Sequence, residues 1–323
     1  MTAPAFRSVA TNGVNLRVAM QGAGPPVVMV HGFPESWYSW RRQMAPLAAA
    51  GFTACAIDVR GYGGSDKPQP VEAYSMEALT GDVAGVIDAL SPGAPAVLIG
   101  HDWGAPIVWH TALLHPGKVR AVAGLSVPYT GVPPMPLTQL YKMLFTDQNK
   151  FFYQVYFQEE VVAEAEFEAD VRGGLRKLYY AASGDGAGMW GGVQKTPGDK
   201  LLTGLADPQP FPSWLSKADI DYLVHEFEGS GFRGPINRYR NFDRDWAFMQ
   251  TVKDTIVRQP ALFIAGENDL VLKMFGPIDL VGRMKNTVAD LRGAHIIPKI
   301  GHWTQQEASE ETTGLLIDWL ATL

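Results

Sequence analysis

Cysteine is nearly absent from this chain. Cys55 is the sole thiol in 323 residues, so no disulfide can close within the chain, and neither this thiol nor any His/Asp/Glu spacing suggests a metal site. Its place in the apolar run 52–57 makes a small buried hydrophobe its expected role. Long apolar stretches are missing too. No segment approaches the ~18 uninterrupted apolar residues of a membrane span, and the N-terminus lacks the basic stretch followed by an apolar run that marks a signal peptide. Lysine and arginine do not cluster, and the net charge is -6, which argues against nucleic acid and membrane as partners. Arg41-Arg42 is only a pair, read as solvated. These absences leave a soluble cytoplasmic protein as the expectation. What is present is a 46% hydrophobic content, ample for a large core and more than one minimal domain needs.

Apolar runs at 27–30, 52–57, 96–100 and 121–127 read as buried strands. Helices are expected at 37–50, along the Met76, Leu79, Val83, Val86, Ile87 and Leu90 stripe with Ser75 as N-cap, and from 104 to His115, stopped by Pro116. This alternation predicts an α/β fold, with a mostly parallel central sheet flanked by helices. The rhythm breaks after Val127. Pro128, Pro133, Pro134 and Pro136 crowd together, and the chain to about Trp246 reads as helical, aromatic and glycine-rich. Strand signals return at 261–265 and 296–300, with Pro298 placing the last run at a sheet edge. Leu316, Trp319, Leu320 and Leu323 give the closing helix its apolar face. The expected organisation is a core made of residues 1–130 and 246–323, with a helical cap (lid) domain at 131–245 inserted between them. No internal repeat or low-complexity tract interrupts this plan.

The sharpest local signal is Gly100-His101-Asp102-Trp103-Gly104. Small residues flank a central nucleophile between an expected strand and an expected helix, the pattern of a nucleophile elbow. The central residue is aspartate rather than serine. Catalytic groups of open parallel sheets gather at the carboxyl ends of strands. Four expected strands end suggestively: in His31-Gly32-Phe33-Pro34, in Asp102, in Gly266-Glu267-Asn268-Asp269 and in Gly301-His302-Trp303. The order nucleophile, acid, histidine is that of α/β-hydrolases. Each signal alone is ordinary, since Gly-x-Asp-x-Gly is often a tight turn and a lone histidine is more often structural. Their joint placement and order point to catalysis. Glu267 competes with Asp269 as the acid. His295 competes with His302, but reads as opening the last strand while His302 follows it. His31 and His101 read as backbone-orienting, and His110, His115 and His225 as packing or surface residues. Gly61-Tyr62-Gly63-Gly64-Ser65 resembles a phosphate loop, yet Lys67-Pro68 and Pro70 prevent a helix from opening behind it.

A carboxylate is a poor nucleophile for an amide but displaces a leaving group at saturated carbon, giving an ester of its own side chain. Epoxides and alkyl halides are the matching electrophiles. A halide leaves as a stable anion and wants N–H donors. An epoxide leaves as a basic alkoxide and needs an acid, which a phenol of pKa ≈ 10 supplies at neutral pH.

Over nearly its whole length the chain resembles the epoxide hydrolases of the α/β-hydrolase superfamily. The resemblance rests on His31-Gly32-Phe33-Pro34-Glu35-Ser36, the elbow, Phe152-Tyr153-Gln154-Val155-Tyr156-Phe157-Gln158, Asn237-Arg238-Tyr239-Arg240-Asn241 and Gly301-His302-Trp303-Thr304-Gln305. It is similar to the soluble enzymes and their bacterial relatives, without the N-terminal phosphatase domain of the vertebrate forms. The resemblance implies an α/β-hydrolase fold, conversion of a small, apolar epoxide to a vicinal diol, no metal or organic cofactor, and a monomer or homodimer. For the biological role it leaves detoxification, catabolism of an environmental epoxide and processing of a lipid or metabolite open. It implies Asp102 as nucleophile, His302 as base, Asp269 as its partner, and the backbone N–H groups of Phe33 and Trp103 as oxyanion hole. Tyr153 and Tyr239 match the two cap tyrosines of the family, although from pattern alone Tyr156 equals Tyr153. His31, Pro34, Gln154 and Trp303 are expected to contact substrate. Arg238 departs from the tryptophan common in relatives, which bears on the pocket wall rather than on the chemistry. Asp243 and Asp245 read as surface or cap charges. The alternative is a haloalkane or haloacetate dehalogenase of the same fold, but Phe33 stands where its halide-binding asparagine typically follows the His-Gly turn. A catalytically silent ligand receptor is a third reading, and a serine esterase is disfavoured because no serine occupies the elbow.

Overall fold

The computed structural model describes residues 3–192 and 194–323. Eight strands form one sheet: β1 (Ala5–Thr11), β2 (Val14–Gln21), β3 (Pro26–Val30), β4 (Thr53–Ile57), β5 (Ala96–His101), β6 (Val119–Leu125), β7 (Val257–Gly266) and β8 (Val288–Ile297). Their spatial order is β1-β2-β4-β3-β5-β6-β7-β8. The β1–β2 and β2–β4 pairings are antiparallel, and every pairing from β4 to β8 is parallel. Asn12 and Gly13, both at positive φ, make the tight β1–β2 turn. Strands β3 to β6 are apolar on both faces because helices cover both.

On one face, Trp40, Met44 and Leu47 from α1 (Arg41–Ala49) and its preceding turn pack with Leu316, Trp319 and Leu320 of the C-terminal helix. On the other lie α2 (Met76–Leu90), N-capped by Ser75 as expected, and α3 (Gly104–Leu114). Between β6 and β7 the chain forms α4 (Leu137–Leu144), α5 (Tyr153–Tyr156), α6 (Val162–Ala169), α7 (Val171–Ala182), α8 (Met189–Gly192), α9 (Lys217–Ser230), α10 (Arg233–Asn237) and α11 (Phe242–Met249). Phe157, Phe167, Tyr179 and Phe232 from these helices and turns join the same apolar cluster as α2 and α3, so helices and sheet share a continuous core. After β7 come α12 (Leu270–Lys273) and α13 (Leu280–Arg283), and after β8 come α14 (Thr304–Glu307) and α15 (Ser309–Leu320). No helix among the described residues is long and apolar enough to cross a membrane.

Three local expectations change. The segment 37–50 is a 3-10 turn, Trp37–Trp40, followed by α1. The last strand lies earlier than 296–300. β8 ends at Ile297 because Pro298 has no N–H to continue the ladder, and Lys299 turns the chain at φ 66°. β8 is an edge strand, opposite β1, and His295 sits inside it, paired with Ile264, instead of opening it.

Candidate active site

β5 delivers Asp102 into a sharp turn at φ 50°, a left-handed conformation that a non-glycine residue adopts at a cost. Close packing enforces the turn. A Cβ on Gly104 would come within 2.0 Å of the Val30 carbonyl oxygen, and one on Gly32 within 2.2 Å of Asp102 Oδ1. The turn after β3 therefore lies directly on the Asp102 carboxylate.

The two carboxylate oxygens have different partners. Phe33 N–H donates to Oδ1 at 2.8 Å. Oδ2 lies 3.3 Å from His302 Nε2. His302 Nδ1 is 3.0 Å from Asp269 Oδ1, which also accepts the Val271 N–H. Asp269 is fully buried, whereas Glu267 turns outward to accept the Lys299 N–H, so of the two carboxylates it is Asp269 that meets His302. The Trp103 N–H makes no hydrogen bond to Asp102 among the described residues, so one of the two expected oxyanion donors is engaged in this state.

Burial alone would push the Asp102 carboxyl up, but the hydrogen bond and charge of His302, the His101 ring and the Phe33 N–H together hold it below the usual carboxylate range. Burial likewise opposes charge on His302, and here Asp269 and Asp102 prevail, raising the imidazole well above its ordinary value.

Tyr153, at the start of α5, and Tyr239, in the 3-10 turn Arg238–Asn241, line the same cavity as Asp102 and His302. Their ring centroids are 6.0 Å apart. Gln154 Nε2 donates to the Tyr153 hydroxyl at 2.8 Å. Tyr239 stands edge-on to Trp103, Phe33 and Phe157. Gln158 ties the two segments together by donating to the carbonyls of Gln154 and Tyr239. Tyr156, equal to Tyr153 in the sequence pattern, instead directs its hydroxyl to Glu166. Burial, reinforced by the Asp102 charge, raises both cavity phenols, so they stay protonated at neutral pH.

Of the expected substrate contacts, Trp303 lines the cavity, its ring stacked 4.3 Å from Tyr179. His31, Pro34 and Gln154 do not line it. His31 is buried beneath, accepting the Val59 N–H on Nε2 and facing Gly32 O with Nδ1. The Pro34 carbonyl accepts from Tyr179, and Gln154 serves Tyr153. Trp190, edge-on to Tyr153 at 5.4 Å, is a lining residue without a sequence signal. The cavity shares Tyr153, Ala182, Trp190, Leu201 and Leu270 with a larger one of about 1080 Å³.

Behind the site lies a carboxylate that sequence reasoning did not single out. Glu35 accepts from Gly32 N–H, His101 Nδ1, Gln305 Nε2 and Gln306 Nε2, and His101 Nε2 reaches His302 O at 2.8 Å. One buried side chain thus joins the turn after β3, the elbow and the loop after β8. Burial opposes its charge, but His101 and the Gly32 N–H hold its pKa down. Asp245 is not a surface charge. It is largely buried, pairs with Arg238 and caps α2 through the Met76 N–H.

Residues 25–178 match the α/β-hydrolase fold family. Epoxide hydrolase A of Mycobacterium tuberculosis is 40% identical over 326 residues, covering 100% of this chain and 99% of that protein. Epoxide hydrolase B of the same organism is 39% identical over 331 residues, covering 93% and 92%. The solved structure of an epoxide hydrolase from an endophytic Streptomyces superposes with a TM-score of 0.94 at 41% identity, covering 99% of this chain and 96% of that one. With an eight-stranded, mostly parallel sheet and relatives of this similarity over nearly its full length, the chain belongs to the epoxide hydrolases of the α/β-hydrolase fold.

Proposed function

We propose that this chain converts an epoxide to a vicinal diol through an alkyl ester on Asp102. The observation that carries this reading is one cavity in which the Asp102 carboxylate, backed by His302 and Asp269, shares the space with two protonated phenols. Asp102 Oδ2 attacks a ring carbon, the ring C–O bond breaks, and the departing oxygen takes a proton from Tyr153 or Tyr239. Oδ1, already on the Phe33 N–H, becomes the ester carbonyl oxygen. Water then attacks Cγ while His302 accepts its proton. The oxyanion rests on Phe33 N–H, with Trp103 N–H as the second donor, and its collapse expels the diol. The His302 imidazolium protonates the departing diol oxygen, and the acid left on Asp102 passes its proton through His302 to the tyrosinate, which restores carboxylate and phenol and balances epoxide plus water against diol.

The charges suit this order. In the free enzyme two carboxylates raise the His302 pKa. Esterification neutralises Asp102, which lowers the His302 pKa and favours the neutral ring that can accept a proton from water and then hand it on. The phenols' raised pKa values bring them nearer to that of an alkoxide, so proton transfer occurs as the C–O bond breaks. Phe33, Phe157, Leu178, Trp190 and Leu270 give the cavity apolar walls, which supports a small apolar epoxide as substrate. Residues 131–245 act as a cap that brings the acids to a core built from 1–130 and 246–323. No metal or organic cofactor enters these steps.

A single turnover in ¹⁸O water tests the route. The label is expected in the Asp102 peptide and not in the first diol released, and Asp102→Ala is expected to form no diol. Label in the first diol would refute the ester.

A further inference from the structure

The reaction above makes no use of Arg238, a cation buried one residue before Tyr239. Its side chain is 5% exposed. One terminal nitrogen donates to the Tyr74 carbonyl, the other pairs with Asp245, and Nε has no hydrogen-bond partner among the described residues. Burial lowers its pKa to about 9, which leaves it charged at neutral pH. Its Cζ lies 4.6 Å from the centroid of the Trp103 ring. Trp103 in turn stands edge-on to Tyr239, with centroids 5.3 Å apart at 83°. Guanidinium, indole, phenol and cavity therefore follow one another in space.

A cation on a tryptophan face is held by the ring quadrupole, most strongly where water is excluded. It also draws electron density from the indole, which makes the ring edge more positive towards its neighbour. The other titratable groups around this line are Asp245 from α11, Tyr62 from the loop after β4, His110 from α3, and Asp102 and Tyr153 at the cavity. Asp245 offsets part of the Arg238 charge but also accepts the Met76 N–H at 2.7 Å. Tyr153 has only the neutral amide of Gln154 in the corresponding place.

Resting on the assignment of Tyr239 as an acid, we propose that Arg238 is a positioning residue for ring opening. Through Trp103 it stabilises the negative charge left on Tyr239 after the phenol has given its proton to the departing oxygen. The guanidinium and the indole keep their own protons. The effect is confined to ester formation, because ester hydrolysis draws on His302 and the oxyanion hole.

Single-turnover kinetics with styrene oxide, resolving ester formation from ester hydrolysis, test this on the full chain. Arg238→Met is expected to slow ester formation about tenfold, the equivalent of one pKa unit, and to leave hydrolysis unchanged. Arg238→Lys, which keeps the charge, is expected to recover most of the loss. In a Tyr239→Phe background, Arg238→Met is expected to have little further effect, since the group it acts through is gone. Equal slowing of both steps, no recovery with lysine, or a full-sized effect in the Tyr239→Phe background overturns the proposal. Should Arg238→Met fail to fold, Asp245→Asn decides. It keeps an acceptor for Met76 but uncovers the cation, and ester formation should speed up; no change or a slowing overturns the proposal. If Tyr239→Phe alone leaves ester formation intact, the acid assignment fails; if it slows that step while Arg238→Met does not, only the role of Arg238 fails.

Discussion

The two halves of the cavity are built by different means. On the sheet side, main chain does the placing: strand β5 and a strained turn fix Asp102, the ends of β7 and β8 bring Asp269 and His302 to it, and the Phe33 N–H grips it. On the helical side, side chains do the placing. Tyr153 and Tyr239 sit on single turns of helix and are held by Gln154, Gln158, Trp103 and a ring cluster. A group held by sheet register cannot be re-aimed without disturbing the strands, whereas a group held by side-chain contacts can be tuned by single substitutions. The proposed nucleophile and base should therefore respond to mutation in all-or-none fashion, and the proposed acids by degrees.

The largest expected effect is on the sheet side. His302→Gln should slow ester hydrolysis about 10³-fold, within the range for loss of a general base, while ring opening persists. The alkyl adduct on Asp102 then accumulates and is read by mass spectrometry. Equal loss of both steps would mean that His302 also serves the first. On the helical side, Tyr153→Phe and Tyr239→Phe should each slow ester formation by about 10- to 100-fold, and the double variant should nearly abolish it, as expected of paired acids. An intact rate of ester formation in the double variant removes both from the mechanism. Gln154→Leu deletes one neutral hydrogen bond to Tyr153 and should cost ester formation no more than about tenfold. A loss as large as that of Tyr153→Phe would break the graded picture.

The smallest effect is on stability. His302 has a raised pKa in the folded chain, so its contribution is fully present below its unfolded value of about 6.5 and is lost as pH rises through the folded value. Asp102 has a lowered one, so its contribution is present above about 3.8 and is lost as pH falls through the folded value. Urea unfolding should show the wild-type advantage over His302→Gln to be larger at about pH 5.5 than at about pH 9.5. A constant advantage would place the shift elsewhere.

The sheet side was also the more legible half. Parallel strands buried on both faces read as uninterrupted apolar runs, and the turns after them announced Phe33, Asp102, Asp269 and His302 in order. β1 and most of β8 left no such signal because they are largely exposed, so the last strand was expected too late. On the helical side, aromatic density blurs the reading. Tyr153 and Tyr156 differ only in where the turn of α5 points them. Glu35 carries no signal in the sequence because its meaning is assembled from residues 32, 101, 305 and 306, which meet only in the fold. The same holds for Asp245, whose partner Arg238 and acceptor role at Met76 come from separate elements.

The unequal partners of the Asp102 oxygens carry a further consequence for the ester route. On that route Oδ1 stays with the Phe33 N–H, and Oδ2, beside His302, would be the atom donated to product and replaced from solvent. Over many such cycles one oxygen of this side chain would be a consumable and the other a permanent fixture. Prolonged catalysis in heavy-oxygen water should enrich Asp102 by one atom, not two.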